Sequence, residues 1–442
     1  MRSLLILGGK VVTSHHVGPA AIYVEGESVA RVGKGGLFPS ETFNAKGLLV
    51  FPGVVDAHVH FALPVAGTRS ADDFRSGSLA AAAGGVTTFI DFTVGHPAIP
   101  LPEALERRLK EARVSAVDYS FHVEMVGWES HRLEEIAAVG ELGVRSFKFY
   151  LAYSESGRRT SLGVLRSAME AIAKIGGVAM VHAEADELVD PKGGPFPWAR
   201  PAVSEEVAIA SVGILARETR CPTYIAHISS GQGLAALLAA RRAKAPLMGE
   251  TCPHYLLLDE RVYSRPDGHL FSVTPPLRTP VDQKALWRAL ARRELQAVAT
   301  DHCPFTRAQK DPYREEPQKL PSGLPGVETL FILLFSAGVG EGRLRPSDLA
   351  WHLAEGPARA FGLWPKKGGI QPGSDADLVF LDPKATWTIH AEDLHMATDF
   401  SPYEGFSVRG KVVGVLSRGE WVYRDGEILA KPGRGKFVAW QG

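Results

Sequence analysis

Cysteine is scarce in this sequence, and neither sign of charge is in excess. The three cysteines among its 442 residues lie far apart, and each precedes a proline: Cys221, Cys252 and Cys303. An odd, widely spaced set without CxxC spacing argues against a disulfide framework and against a zinc finger. Lysine plus arginine and aspartate plus glutamate number 49 each. This balance gives no electrostatic reason to expect nucleic acid or an anionic membrane as a partner.

Long hydrophobic runs and a glycine-rich nucleotide loop are also missing. No window of the sequence approaches the length of a membrane span, and the opening "MRSLLILGGK" is too short for the core of a signal peptide. We therefore expect a cytoplasmic protein with no membrane partner. Apolar residues make up 45% of the chain, so a large core can form. The length of 442 residues allows one large barrel plus a smaller domain, or two or three ordinary domains.

The two ends of the chain are rich in short β segments punctuated by glycine. The N-terminal part contains "SLLILGG" and "AIYVEGESVARVG", and the C-terminal part contains "DADLVFLD" and "VVGVLSRGEWVYRDGEIL". A hairpin turn is predicted at Asp425-Gly426. The pattern predicts a small β-sandwich domain assembled from both chain ends, residues 1–50 and 368–442.

The middle of the chain, residues 51–367, alternates strands with helices. Eight strands follow one another, each separated from the next by a helix, which predicts a TIM (β/α)8 barrel. An open doubly wound sheet is the alternative, but it needs no count of eight and usually shows the glycine-rich loop that this chain lacks. For the first helix of the barrel, the sequence predicts Ser70 as N-cap, Asp73 at N3 and a stop at Gly84.

Polar side chains stand at the C-terminal ends of several of these apolar strands, where the chemistry of such barrels is located. The set is His58, His60, Lys148, His182, His227 and Asp301. In "GVVDAHVHF" the two histidines are two residues apart, so both face the same side of a strand and can bind one ion together. Asp56, two residues earlier, could accept a ring N–H from a histidine or cap a turn.

Any single strand histidine is more often structural than a metal ligand, but four histidines and one aspartate at successive strand ends favour a metal site. His96, His122 and His302 also lie near strand ends, and we assign them no role. Lys148 is flanked by large apolar residues in "SFKFYL", where an unpaired ammonium is very unfavourable. It either reaches the surface or a carboxylate, or it is a carbamate formed with carbon dioxide, an anion able to bridge two cations.

These motifs together resemble the cyclic amidohydrolases of the amidohydrolase superfamily, most closely the D-hydantoinase/dihydropyrimidinase branch. The resemblance is carried by "GVVDAHVHF", "GTRSADDFRSGSLAAAAGGVTTFIDF", "SFKFYLAY", "MVHAE", "YIAHISS", "GETCPHYL", "ATDHCPF" and "GLPGVETL" and spans nearly the whole chain. It implies two zinc ions, one held by His58, His60 and Asp301 and the other by His182 and His227. A carbamylated Lys148 and a hydroxide would bridge them.

The resemblance also implies roles in catalysis. The hydroxide would attack the amide carbonyl, Asp301 would transfer its proton to the leaving nitrogen, and Tyr153 would stabilise the oxyanion. Tyr153, Thr274 and Ser322 match positions that contact substrate in the family, although hydantoinases tend to have serine and asparagine at the last two. The implied substrate is a small cyclic amide such as a hydantoin or a dihydropyrimidine, and the implied assembly is a homotetramer or dimer.

Other relatives offer alternative functions. Dihydroorotases usually carry an arginine two residues after the second histidine to bind the substrate carboxylate, and Ala62 stands there, which disfavours dihydroorotate. His254 in "ETCPHY" is more like allantoinases and dihydroorotases, so an allantoinase-like activity is the nearest alternative. A non-catalytic scaffold on the same barrel is a further alternative, and the complete set of ligand residues argues against it.

Overall fold

The computed structural model describes residues 3–33, 39–127 and 132–441. Its strands, in chain order β1 to β21, are Ser3–Leu7, Lys10–Val12, Val17–Pro19, Ile22–Glu25, Ser28–Val32, Glu41–Asn44, Leu49–Pro52, Val54–Asp56, Pro64–Val65, Thr68–Arg69, Val86–Phe92, Asp118–Glu124, Ser146–Tyr150, Val178–His182, Thr223–Ile225, Leu247–Thr251, Ala297–Val298, Leu378–Thr388, Ser407–Ser417, Glu420–Arg424 and Glu427–Ile428.

The helices, α1 to α12 in the same order, are Phe74–Gly84, Leu101–Glu111, Arg132–Glu141, Leu162–Lys174, Ala202–Thr219, Gly231–Arg242, Pro253–Leu257, Pro280–Ala291, Arg307–Lys310, Leu330–Leu334, Pro346–Ala350 and Gly356–Ala360. π-Helical turns extend α10 and join α11 to α12. Within the described ranges, no helix has the length and apolar character needed to cross a membrane.

Eight parallel strands form the barrel, in the order β8, β11, β12, β13, β14, β15, β16, β17. The seam between the first and last strands is closed by a parallel bridge between Val59 and His302. The Asp56 carboxylate reinforces this seam by accepting hydrogen bonds from the Thr300 amide at 3.0 Å and the Thr300 hydroxyl at 2.6 Å. The predicted TIM barrel is confirmed.

Strand alternation decides which side chains enter the barrel. On β13, Phe147 and Phe149 belong to the core shared with the surrounding helices, and Lys148 between them points the opposite way, into the barrel. The strands are rich in β-branched and aromatic residues, as in "VTTFIDF" of β11, and such residues suit a sheet covered on both faces.

Both chain ends build the predicted sandwich. One sheet has the order β5-β4-β1-β6, and the other has the order β21-β20-β19-β18-β7-β2-β3, so N-terminal and C-terminal strands share the second sheet. Their common core includes Leu4, Ile6, Val24, Val50, Leu378 and Phe380. The turn between β20 and β21 is at Asp425 and Gly426, with φ of 53° and 94°, as the sequence predicted.

A buried ionic cluster joins the barrel to the sandwich. The ammonium of Lys367, which is 1% exposed, lies 2.6 Å from Asp118, 2.9 Å from Asp375 and 2.8 Å from Asp377. Asp118 belongs to barrel strand β12, and its carboxylate also accepts from Arg418 of the sandwich segment after β19. The three carboxylates raise the pKa of Lys367 above its usual value, although burial opposes this.

The start of helix α1 differs from the prediction. Asp73 rather than Ser70 is the N-cap: its carboxylate accepts from the amides of Arg75 and Ser76, and the Ser76 hydroxyl oxygen accepts from the Asp73 amide. The helix therefore starts at Phe74, runs through Gly84 and ends with Gly85 as the left-handed cap. Ser70 instead ties the preceding loop together, since its hydroxyl donates to the His60 carbonyl and accepts from the Leu63 amide.

Candidate metal centre

Three potential metal ligands meet where the first and last barrel strands end. The Nε2 atoms of His58 and His60 lie 3.2 Å and 3.1 Å from the same carboxylate oxygen of Asp301, Oδ1. A nitrogen from each histidine and an oxygen from the aspartate all fall within 4.8 Å of one another. Two imidazoles and one carboxylate at this spacing form a donor set suited to zinc.

A second pair of imidazoles lies beside this cluster. His182 ends β14, His227 follows β15, and His182 Nδ1 is 3.0 Å from His227 Nε2. The ring centroids of His58 and His227 are 5.4 Å apart, so the two groups of histidines are continuous. Burial holds the pKa of His58, His182 and His227 below the usual value of a histidine, so these rings are neutral and free to act as ligands.

Lys148 on β13 is 1% exposed, and it is near enough to His58, His182 and His227 for its charge to contribute to their lowered pKa. Its ammonium is 5.0 Å from the ring centre of Phe92, which also stacks against His60, and 5.1 Å from the ring of Tyr150. No residue in the described part of the chain gives it a hydrogen bond or an ion pair within 4.0 Å. Burial lowers the pKa of Lys148 to about 8, because the charged form is poorly solvated there.

Glu250 on β16 orients His58, and the sequence analysis did not identify it. Its Oε1 is 2.5 Å from His58 Nδ1, and its Oε2 accepts from the Tyr224 hydroxyl at 2.9 Å. This contact fixes the ring so that Nε2 faces Asp301, the usual arrangement around a metal-binding histidine. Asp56, considered for this task from the sequence, binds Thr300 instead. An acidic residue inside the apolar stretch "APLMGETC" was the available signal.

Glu184 orients His182 in the same way. Its carboxylate is 2.7 Å from His182 Nε2 and pairs with Arg200, whose Nη2 lies 2.6 Å away. The charge of Arg200 and the bond to His182 hold the pKa of Glu184 well below its usual range, although burial opposes them. His182 is therefore fixed with Nδ1 directed at His227. Glu184 was also missed, although it follows His182 by two residues in "MVHAE".

Tyr153 stands over this second pair of histidines. Its ring centroid is 5.0 Å from that of His182 and 4.9 Å from the Arg200 guanidinium carbon. Its hydroxyl donates to the Thr274 hydroxyl at 2.8 Å, so two of the three predicted substrate-contacting residues touch. The third, Ser322, is partly buried in the loop that follows β17, next to Gly323, whose amide donates to the Ser272 carbonyl.

The other histidines near the strand ends differ in whether their ring nitrogens have partners. His122 is fully satisfied by Ser146 and the Ala57 carbonyl, His302 is paired with Asp72 at 3.1 Å, and His96 is exposed. His254 is different, because it is buried with no partner for Nε2, and its pKa falls to about 4 through burial, which outweighs the opposing charge of Asp301. Two residues after His60 the chain has Ala62, so this position lacks the cationic side chain that dihydroorotases usually have there.

The backbone is strained at three of the convergent positions. Tyr153, His227 and Asp301 have φ of 73°, 36° and 50°, in the left-handed region that residues other than glycine seldom occupy. Such conformations persist only where the surrounding structure enforces them, and they cluster at functional sites. At all three positions the chain turns as it leaves a barrel strand, which brings the side chain to the mouth of the barrel.

The side chains fit a metal centre. His227 Nδ1 is a buried ring nitrogen without a hydrogen-bond partner, and His58 Nε2 lies 3.2 Å from Asp301 Oδ1 without forming a hydrogen bond to it. Both are unusual for buried polar atoms. Neutral imidazoles, an ionised aspartate and an amine without a partner are the donor chemistry that a cation would complete.

Comparison with known proteins agrees with this geometry. Residues 49–422 match the model of the amidohydrolase family, a family that is generally metal-dependent. D-phenylhydantoinase of Escherichia coli K12 is 39% identical over 98% of this chain and 97% of its own length. Among solved structures, dihydropyrimidinase from Brevibacillus agri has 33% identity and a TM-score of 0.95, covering 99% of this chain and 98% of its own.

L-Hydantoinase (dihydropyrimidinase) from Arthrobacter aurescens is also similar, with 29% identity and a TM-score of 0.91 over 99% of this chain and 100% of its own. The family match covers most of the chain, and the curated relative spans nearly all of it. The chain therefore belongs to the amidohydrolase family, in the hydantoinase/dihydropyrimidinase branch of cyclic amidohydrolases.

Proposed function

We propose that this protein hydrolyses the ring amide of a cyclic ureide or imide, a hydantoin or a dihydropyrimidine, with the help of two zinc ions. One observation carries the proposal: four imidazoles, Asp301 and the unpartnered Lys148 converge at one end of the barrel. Relatives named for hydantoins and dihydropyrimidines support the substrate class.

The proposed ligands of one ion are His58, His60 and Asp301, and those of the other are His182 and His227. Lys148 would contribute to both as a carbamate. In its neutral form the amine attacks carbon dioxide, forms an N–C bond and releases one proton, which leaves an anion with two oxygens. A pKa of about 8 makes the neutral amine accessible near neutral pH. When bound, the ions supply Lewis acidity and water of lowered pKa.

The protein side chains have distinct proposed roles. Asp301 accepts the proton of the attacking water and passes it to the leaving ring nitrogen. Burial alone would raise the pKa of Asp301, but His58 and the hydrogen bond from His60 hold it below the usual range. Tyr153 donates its hydroxyl hydrogen to the oxyanion that develops on the carbonyl, and its pKa, raised to about 12 by burial, keeps that hydrogen in place. The segments of Thr274 and Ser322 hold the ring.

An allantoinase-like reaction is the second candidate, and His254 favours it. This imidazole is buried, has a free Nε2 and feels the charge of Asp301, so it can contact a polar group of the substrate. Ala62 argues against dihydroorotate, because the site then has no arginine two residues after His60 to pair with a carboxylate.

The test combines metal analysis with an assay panel of hydantoin, dihydrouracil, allantoin and dihydroorotate. We expect zinc to co-purify and hydantoin or dihydrouracil to be opened, with dihydroorotate unchanged. Asp301→Asn should abolish turnover, whereas His122→Gln, which alters a buried histidine bonded only to Ser146 and Ala57, should retain it per folded molecule. A zinc-loaded protein that opens none of the four rings would leave only the scaffold function.

The proposed assembly is a homotetramer or dimer. The outer face of α5 exposes three apolar side chains, Val203, Val207 and Ile214, which supports an interface between copies. Sedimentation equilibrium of the purified protein would measure the assembly, and a monomer at micromolar concentration would contradict it.

A further inference from the structure

Lys310 is a second buried lysine near the mouth of the barrel, and the proposed mechanism does not use it. It is the last residue of α9 and is fully buried. Its Nζ donates to the Leu270 carbonyl at 2.9 Å, the Ser272 hydroxyl at 2.9 Å and the Gly323 carbonyl at 2.8 Å. The three ammonium hydrogens therefore each have an acceptor.

These acceptors belong to two separate segments of the chain. Leu270 and Ser272 precede Thr274, and Gly323 follows Ser322 directly. The same segments also bond to each other, since the Ser272 hydroxyl donates to the Pro321 carbonyl at 2.8 Å and the Gly323 amide donates to the Ser272 carbonyl at 2.9 Å. Lys310 thus bonds, from outside both segments, to each of the two segments next to the proposed substrate contacts.

The position of Ser322 is constrained from the other side as well. Gly323 has φ of 152°, and a Cβ there would lie 2.3 Å from the carbonyl oxygen of Cys303, two residues after Asp301. The segment is therefore pressed against the end of the last barrel strand on one face and bonded to Lys310 on the other. Its placement depends on both contacts.

Packing alone does not account for a lysine at this position. No carboxylate in the described ranges lies within 4.0 Å of its ammonium, and the ring centroids of Phe305 and Phe400 are 5.8 Å and 5.7 Å away. A buried ammonium without a counter-ion is unfavourable, and an apolar side chain of similar volume would fill the space more stably. What the lysine provides is a set of three directed donors.

We propose that Lys310 is a positioning residue, which sets the relative placement of the Thr274 and Ser322 segments and thereby the fit of the substrate ring opposite Tyr153. This inference rests on the proposed function, in which those segments hold the ring. Thr274 accepts from the Tyr153 hydroxyl, so a displacement of its segment also changes where that hydroxyl points.

The test compares zinc-loaded wild type with Lys310→Met, which keeps the length of the side chain and removes its donors. Lys319→Met is the matched control, since Lys319 lies in the same loop region with 58% of its side chain exposed. For Lys310→Met, we expect a crystal structure to show residues 272–274 displaced relative to 321–323 by roughly 0.5–1 Å. We expect KM for the best ring substrate to rise about tenfold with kcat within about threefold and unchanged zinc content.

Ser272→Ala provides a second, milder variant in case Lys310→Met fails to fold. It removes one acceptor of Lys310 and the bond to Pro321, and we expect a rise in KM of about threefold. A purely structural role would lower zinc content and the folded fraction without changing KM. Unchanged placement of the two segments, or an unchanged KM in both variants, would overturn the inference. If the wild type opens none of the rings, the proposed function fails instead, and the crystallographic comparison alone decides the positioning role.

Discussion

Two lysines of this protein are equally buried, and their surroundings are opposite. Lys367, between the barrel and the sandwich, has three carboxylates within 3 Å, and its pKa is raised. Lys148, at the carboxyl end of the barrel, has no partner in the described part of the chain, and its pKa is lowered to about 8. The first is a cation that joins two parts of the fold. The second is a buried amine for which we propose a reaction with carbon dioxide.

The comparison distinguishes a buried lysine that stabilises the fold from one that we propose to take part in function. A fold gains nothing from an unpaired ammonium, so its presence among ligand-type side chains indicates chemistry. A paired ammonium indicates stability, although each member of such a cluster depends on the others. The two lysines should therefore respond to mutation in opposite ways, one in activity and the other in stability.

The largest expected effect is that of Lys148→Ala. We expect kcat/KM to fall by about a thousandfold or more and bound zinc to be lost, because the proposed bridge between the cations is removed. Compared with metal-free wild type, the metal-free variant should lose little thermal stability, since the lysine makes no hydrogen bond or ion pair within the described ranges. Acetate or propionate, which can occupy the vacated space as a carboxylate, should restore part of the activity. Full activity in this variant would refute the proposed carbamate.

Lys367→Met should have the next largest effect, and it should lower stability rather than activity. Removing this ammonium leaves three buried carboxylates close together. Arg418 still pairs with Asp118 and the partly exposed Lys366 with Asp375, while Asp377 loses its ion pair. We expect a loss of about 3–5 kcal/mol in the free energy of unfolding, measured by denaturant titration. The kcat/KM of the folded fraction should match the wild type, and a selective loss of activity at full stability would contradict the contrast between the two lysines.

Glu250→Gln should have an intermediate effect confined to the site. The amide keeps the shape of the side chain but weakens its contact with His58 Nδ1. We expect zinc affinity to fall by about 10- to 100-fold, as measured by competition with a chelator. Glu205→Gln is a suitable control, because Glu205 is also buried but bonds to Ser229 and Ser230 rather than to a histidine. Equal losses in both variants would argue against a specific role.

The smallest effect concerns pH and the third buried lysine. Burial lowers the pKa of Lys310 to about 7, so between pH 7 and pH 9 the unfolded chain binds more protons at this residue than the folded one. Stability must then rise with pH. We expect wild type to gain about 1–2 kcal/mol relative to Lys310→Met from pH 7 to pH 9. A pH-independent difference between their unfolding free energies would show that the folded lysine keeps a normal pKa.

The fold was largely predictable because its signals repeat. Eight apolar stretches separated by helices gave the barrel, and β-rich ends gave the sandwich. The turn at Asp425-Gly426 followed from the conformational needs of those two residues. The start of α1 was misplaced because Ser70 and Asp73 are both good caps, and only the loop that recruits Ser70 to His60 and Leu63 decides between them.

The convergence of site residues was predictable where a residue had a regular spacing or a charge unexpected in its apolar surroundings. His58 and His60 have strand spacing, and Lys148 is a charge in an apolar strand, so their convergence could be expected. Glu250 and Glu184 were missed because their roles depend on which imidazole faces them across the barrel. The partners of Lys310 are likewise set by loops whose paths the sequence pattern does not reveal.

The left-handed backbone at Tyr153, His227 and Asp301 has a consequence for engineering. Strain at these residues lowers the stability of the resting protein, and glycine would relieve it. Selection for heat resistance alone would therefore favour substitutions at these three positions, because relief of strain raises the melting temperature while it removes the side chains that we propose as ligands and catalytic groups. Thermostable variants are better sought among sandwich loops and exposed helix surfaces, with catalytic turnover screened in parallel.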